Sequence, residues 1–184
     1  MEEKIKTLGE LYTKHFSASL DSVRLRTGSA SERIKIHHPE VAAIVPFIDS
    51  RTVVMVRQWR YAIDRETLEI PAGKADEGEL LEVCARRELL EETGYGGGRF
   101  IPIFQYFPAI GYSDEVIRIF AAARLAPPGE RLDTHEISKV EILRVEEIDE
   151  LIVKGVIQDG KTIIGLSLFR AKALKGEIPA DFFG

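Results

Sequence analysis

Several things are scarce in this 184-residue chain, and each scarcity narrows what it can be. It has one cysteine, Cys84, so no internal disulfide can form, and its Cys and His residues fall into no zinc-binding spacing. Any metal must therefore be held by oxygen, and a reducing cytoplasm is the expected compartment. No run of about 18 apolar residues offers a membrane span, and the start Met1-Glu2-Glu3-Lys4-Ile5-Lys6 lacks the apolar stretch of a signal peptide, so no membrane partner is expected. Basic residues are outnumbered, 25 against 30 acidic, for a net charge of -5. A broad positive field for nucleic acid is missing, and no nucleic-acid partner is expected.

What remains is a composition suited to folding. Apolar residues make up 45% and charged residues 30%, enough to build one core and too apolar for a disordered chain. Val41 to Ile48 and Thr52 to Val56 are apolar runs joined by Asp49-Ser50-Arg51, which predicts two core strands with a tight connection. Leu68-Glu69-Ile70 is a third short run, stopped by Pro71 and Gly73. Phe100 to Phe107, Val116 to Ala123 and Val140 to Val145 read as further strands, and Glu146 to Lys154 and Lys161 to Lys175 as helices. Residues 1–40 are more polar, with alternation in Val23-Arg24-Leu25-Arg26 and Arg33-Ile34-Lys35-Ile36 around Gly28, which predicts an exposed hairpin. The chain divides in this reading into an N-terminal β segment, 1–40, and a mixed α/β body, 41–184.

The segment Glu79 to Thr93 contains neither Gly nor Pro and is followed by Gly94, so a helix is predicted with a left-handed cap. At about 100° per residue, Glu88, Glu91 and Glu92 share a face of this helix. That face continues the apolar side begun by Leu81, Cys84 and Ala85. Carboxylates so placed repel one another and lose water, and a hard divalent cation would offset both effects. The preceding loop, Pro71-Ala72-Gly73-Lys74-Ala75-Asp76-Glu77-Gly78, can add carbonyl oxygens. Magnesium bridges readily to phosphates, so an oxygen cage of this kind points to a phosphate-containing substrate, with a structural calcium site as the competing reading.

Gly73, Glu79, Arg87, Glu88, Leu89, Glu91, Glu92, Gly94 and Tyr95 fit the pattern G-x5-E-x7-R-E-U-x-E-E-x-G-U, with U apolar, and the chain thereby resembles the Nudix hydrolases. The flanks Gln58-Trp59-Arg60-Tyr61, Leu68-Glu69-Ile70-Pro71-Ala72-Gly73 and Gly111-Tyr112-Ser113-Asp114-Glu115 resemble the branch that cleaves ADP-ribose and other nucleoside diphosphate sugars. The resemblance implies an α/β/α sandwich with a mixed β-sheet, and hydrolysis of a diphosphate to a nucleoside monophosphate and a sugar phosphate. It implies Mg2+ or Mn2+, about two or three ions per site. The metal ligands it implies are the Ala72 carbonyl, Glu88, Glu91, Glu92 and Glu136; Glu91, Glu92, Glu136 and Arg87 would carry catalysis. Arg60, Tyr61, Glu69, Ser113 and Glu115 would bind substrate, and activity should rise with pH. Glu136 lies in the acidic stretch Asp133-Thr134-His135-Glu136, where it competes with Glu91 for the role of base.

Ala109-Ile110-Gly111 stands where members favouring ADP-ribose carry Ser-Pro-Gly, which leaves GDP- and UDP-linked hexoses open beside ADP-ribose. By the same resemblance the N-terminal strands would pair across a homodimer. Two other functions compete: a nucleoside triphosphate or dinucleoside polyphosphate hydrolase, and a nucleotide-sugar sensor without turnover.

Overall fold

A computed structural model describes residues 1–129 and 136–184. The described chain divides into two units, Met1–Glu40 with Tyr106–Val116, and Val41–Gln105 with Ile117–Gly184. Asp133, Thr134 and His135 lie outside the described residues.

The first unit is built on a three-stranded antiparallel sheet, β1 (Glu3–Tyr12), β2 (Ser17–Arg24) and β3 (Ala30–His37), in the order β1-β2-β3. The hairpin expected around Gly28 is the β2–β3 connection, with Leu20 opposite Ile34 and Arg24 opposite Ala30. β1 was not expected as a strand. Its register against β2 shifts between Lys4 and Lys6 and again between Thr7 and Gly9. Each bulge inverts the in-and-out alternation by which a strand is read from sequence, so the two together erase it.

The second unit holds a mixed sheet. Its strands are β4 (Val41–Asp49), β5 (Thr52–Arg60), β6 (Arg65–Glu69), β7 (Ala72–Lys74), β8 (Arg99–Tyr106), β9 (Ile117–Ala123) and β10 (Ile137–Arg144). The main path is β10-β5-β4-β9-β8, with β6 beside β5 and β7 beside β4. β4 is central, parallel to β9 and antiparallel to β5, and its first seven residues are all buried, as a strand covered on both faces requires.

The covering helices are α1 (Leu81–Thr93) and α3 (Gly160–Leu174), with a short α2 (Ile148–Val153) before α3. Alternation along β4 assigns the faces. Ala42 and Ile44 join Leu81, Cys84, Ala85 and Leu89 of α1 in one core cluster with Phe120 and Ala122. Val45 faces α3 at Gly165, and Phe47 stacks on Phe169 with ring centroids 4.3 Å apart. The sheet is thus sandwiched between helices, in the expected α/β/α arrangement.

Candidate active site

α1 begins two residues later than the sequence predicts, at Leu81, and Glu79 lies in the turn before it. There its Oε2 accepts the Asp76 amide at 3.0 Å, closing the loop onto the helix start. At the other end Gly94 takes φ 78°, a left-handed cap whose amide donates to Leu90 O.

The carboxylates of α1 differ in depth. Glu92 is 5% exposed, Glu88 is half-buried, and Glu91 is more open. Arg87 ties Glu88 and Glu91 to Glu79. Its Nη1 donates to Glu88 Oε1 at 2.7 Å and to Glu91 Oε2 at 3.2 Å, while Nε and Nη2 hold Glu79 in a fork at 3.0 and 2.9 Å. The Arg87 bonds bring the Glu79 carboxyl down to about 2. Glu88 moves the other way: burial, with the neighbouring charges of Glu91 and Glu79, raises its pKa against the pull of Arg87. A half-buried carboxylate with this tendency gains from a further positive partner.

The loop before α1 closes on the same side. Ala72 of β7 donates its amide to Glu92 Oε2 at 3.3 Å, and Cys84 Sγ lies 3.6 Å from Gly73 O. Gly73 has no side chain for a physical reason: a Cβ there would lie 1.9 Å from the Glu88 carboxyl carbon. The donors gathered here, Glu88, Glu91, Glu92 and the carbonyls of the loop, are all hard oxygens, which suit magnesium or manganese. Among the described residues no three acidic or His/Cys side chains converge on a single ion position; Glu88 and Glu91 share Arg87 Nη1 instead.

Arg60, at the end of β5, meets neither Asp64 nor Glu66, its nearest acids in sequence. Its Nε and Nη2 grip Glu69 of β6 at 2.7 and 2.5 Å. Glu69 is 2% exposed and is also held by Thr67 and by Lys161 of α3, which pairs in turn with Asp159 at 3.0 Å. Burial pushes the Glu69 carboxyl up, but the Arg60 hydrogen bonds and the Lys161 charge outweigh it and bring it down to about 2. Lys161, Asp159 and Thr162 carried no role in the sequence reading. The Asp-x-x-Thr spacing of a helix N-cap was a legible signal for Asp159, which accepts the Thr162 amide at 2.9 Å. No sequence signal could have joined Lys161 to a residue 92 positions earlier.

A cavity of about 460 Å³ adjoins this cluster, lined by Gln58, Trp59, Arg60, Tyr61, Ala62 and Glu136. Tyr61 is almost fully exposed, Trp59 is more than half exposed rather than core, and Glu136 accepts a hydrogen bond from Gln58 Nε2 at 2.8 Å. The second unit therefore brings together Ala72, Arg87, Glu88, Glu91 and Glu92 along the C-terminal half of α1, from its midpoint at Arg87, and Arg60, Tyr61 and Glu136 around the cavity. Ser113 and Glu115 belong to the first unit, where Ser113 Oγ accepts the Glu115 amide at 3.1 Å and Ser113 bridges to Ile36 of β3.

Comparison with known proteins places these features in a family. The NUDIX domain model matches residues 37–164. The chain is 31% identical over 175 residues to the ADP-ribose pyrophosphatase of Bacillus subtilis, covering 94% of this chain and 95% of that protein. It is 32% identical over 177 residues to the methanol dehydrogenase activator of Bacillus methanolicus, covering 95% and 96%. With the GDP-mannose pyrophosphatase of Salmonella typhimurium it shares 35% over 134 residues, covering 67% and 69%. The crystal structure of an ADP compounds hydrolase has the same fold, with a TM-score of 0.78 at 22% identity, covering 96% of this chain and 97% of that one.

Proposed function

The chain belongs to the Nudix hydrolase family, and from that premise we propose that it hydrolyses the diphosphate linkage of nucleoside diphosphate sugars, ADP-ribose and GDP-mannose among them. The observation that carries the reading is the set of carboxylates, Glu88, Glu91 and Glu92, held around Arg87 and against the Ala72-Gly73 backbone. The names of the full-length and two-thirds relatives support the substrate class.

Glu88, Glu91, Glu92 and the Ala72 carbonyl would hold about two or three Mg2+ or Mn2+ ions, with Glu136 as a further ligand or base. Bound there, the metal would supply a more acidic water and neutralise charge on the leaving phosphate. The chain's own contributions are distinct. Arg87 sets the rotamers of Glu88 and Glu91. The Arg60 guanidinium, oriented by Glu69, keeps Nη1 outside the fork with that carboxylate and available to a diphosphate oxygen. Tyr61, Ser113 and Glu115 would add substrate contacts.

A homodimer paired through residues 1–40 and a cytoplasmic setting complete the proposal. The second is supported by the free, buried thiol of Cys84. No helix among the described residues is long and apolar enough to cross a membrane.

The test is a panel of ADP-ribose, GDP- and UDP-sugars, nucleoside triphosphates and diadenosine polyphosphates with Mg2+, with products separated by chromatography. Nucleoside monophosphate plus sugar phosphate is the expected result. Pyrophosphate release would favour the triphosphatase, and binding without product the sensor. Light scattering should give twice the 20.6 kDa of one chain, and a single-chain mass would remove the dimer.

A further inference from the structure

β6 pairs with β5 and β7 with β4, so the chain changes partner between Glu69 and Ala72. Backbone at such a crossover leaves its strand ladder, and a buried amide there needs another acceptor. Ile70, 1% exposed, donates its N–H to Thr162 Oγ1 on α3 at 2.9 Å. Thr162 is itself fully buried, and its amide and hydroxyl both donate to Asp159 Oδ2, at 2.9 and 2.5 Å. With the hydroxyl proton committed to Asp159, the oxygen presents its lone pairs to Ile70. On the far side of the crossover Pro71 O accepts the Ile44 amide at 2.9 Å.

Close approach of α3 is what brings Thr162 within reach. One turn along the helix, a Cβ on Gly165 would lie 3.0 Å from Val45 Cγ2 and 3.3 Å from Ile70 Cδ1, so glycine there allows the helix to seat this deeply. Immediately after Ile70 and Pro71 come the two residues that touch the α1 carboxylates, Ala72 through its amide on Glu92 and Gly73 through its bare Cα against Glu88. The crossover is thus gripped by α3 on one side and meets α1 on the other.

Building on the proposed function, we propose that Thr162 is a positioning residue for the metal site: oriented by Asp159, it holds Ile70–Gly73 at the depth where Ala72 and Gly73 set Glu92 and Glu88. Partners bonded directly to a ligand change metal affinity by roughly 10- to 100-fold when lost; Thr162 acts further back, through Ile70, two positions before Ala72, so the low end of that range is expected.

The experiment titrates Mn2+ into the full chain, following free Mn2+ by electron paramagnetic resonance, for wild type, Thr162→Val, Thr162→Ser and Phe169→Leu. Phe169 packs on Phe47 from the same helix and controls for loss of stability alone. Thr162→Val should bind Mn2+ about tenfold more weakly and need correspondingly more Mg2+ for half-maximal turnover, while Thr162→Ser stays within about twofold of wild type. Phe169→Leu should lower Tm and leave Mn2+ affinity unchanged. Wild-type affinity in Thr162→Val, or equal weakening in Phe169→Leu, would overturn the proposal. If Thr162→Val does not fold, Gly165→Ala replaces it, with weaker Mn2+ binding expected and unchanged binding counting against the idea. Wild type that neither binds Mn2+ nor cleaves a nucleotide sugar would instead sink the functional reading. Amide exchange then decides the positioning role: faster exchange at Ile70 and Ala72 in Thr162→Val than in Phe169→Leu supports it, and equal exchange overturns it.

Discussion

The carboxylate of Glu88 lies directly over the bare Cα of Gly73, so close that a methyl group at position 73 would fall 1.9–2.3 Å from all three carboxyl atoms. The contact joins the loop to the helix, and a side chain at position 73 would have to displace the end of Glu88.

Gly73→Ala should therefore damage activity far more than stability. The Glu88 tip can swing away at little energetic cost, but a displaced ligand is expected to lower kcat/KM by roughly 100-fold. Parallel kinetics and thermal melts check this, and a loss of Tm without loss of activity would contradict it.

Glu92→Gln preserves shape and removes charge at the most buried acid of α1. Turnover of ADP-ribose with Mg2+ should fall by roughly 10²- to 10⁴-fold, the range of a lost acid–base or ligand role, while Tm changes little. The wild-type rate should rise with pH into the alkaline range, and a flat or acid-favouring profile would count against metal-activated water.

Glu69 predicts a pH-dependent stability. Its folded pKa of about 2 lies below the ordinary 4.5, so its contribution is complete above the unfolded value and is lost as pH falls toward the folded one. That contribution is on the order of 3 kcal/mol. Glu69→Gln, which leaves Arg60 and Lys161 facing a neutral amide, should cost about 3–5 kcal/mol at pH 7, measured by urea unfolding. The gap between variant and wild type should narrow as pH drops from about 4.5 toward 2, and a gap constant across that window would refute the assignment.

Cys84 should resist alkylation in the folded chain. Burial pushes its thiol up to about 12, so almost no thiolate exists at pH 8. Iodoacetamide labelling followed by intact mass should show no adduct until denaturant is added, and rapid native labelling would show the site to be open.

The acidic helix was readable because its information is local. The 3.6-residue period puts Glu88, Glu91 and Glu92 on one face, and Gly94 ends the helix whatever surrounds it. The seven buried residues at the start of β4 were equally plain as an unbroken apolar run. β1 was not legible, since its two bulges interrupt the alternation. Trp59 could be read from sequence either as a core aromatic or as one that stacks on a base, and only the fold sets it in the lining of a cavity.

Composition and spacing by themselves determined that this chain has an oxygen-rich acidic helix, a glycine at its approach, and apolar strands to carry both, because these follow from periods and turns written within a few residues. Which groups answer one another across the fold was decided by tertiary structure alone: Arg60 with Glu69 rather than Asp64, Lys161 with Glu69, Thr162 with Ile70, Gln58 with Glu136. Those pairings arise where strands change partner and helices settle onto the sheet, and burial then makes each polar group take the partner within reach, however distant in sequence.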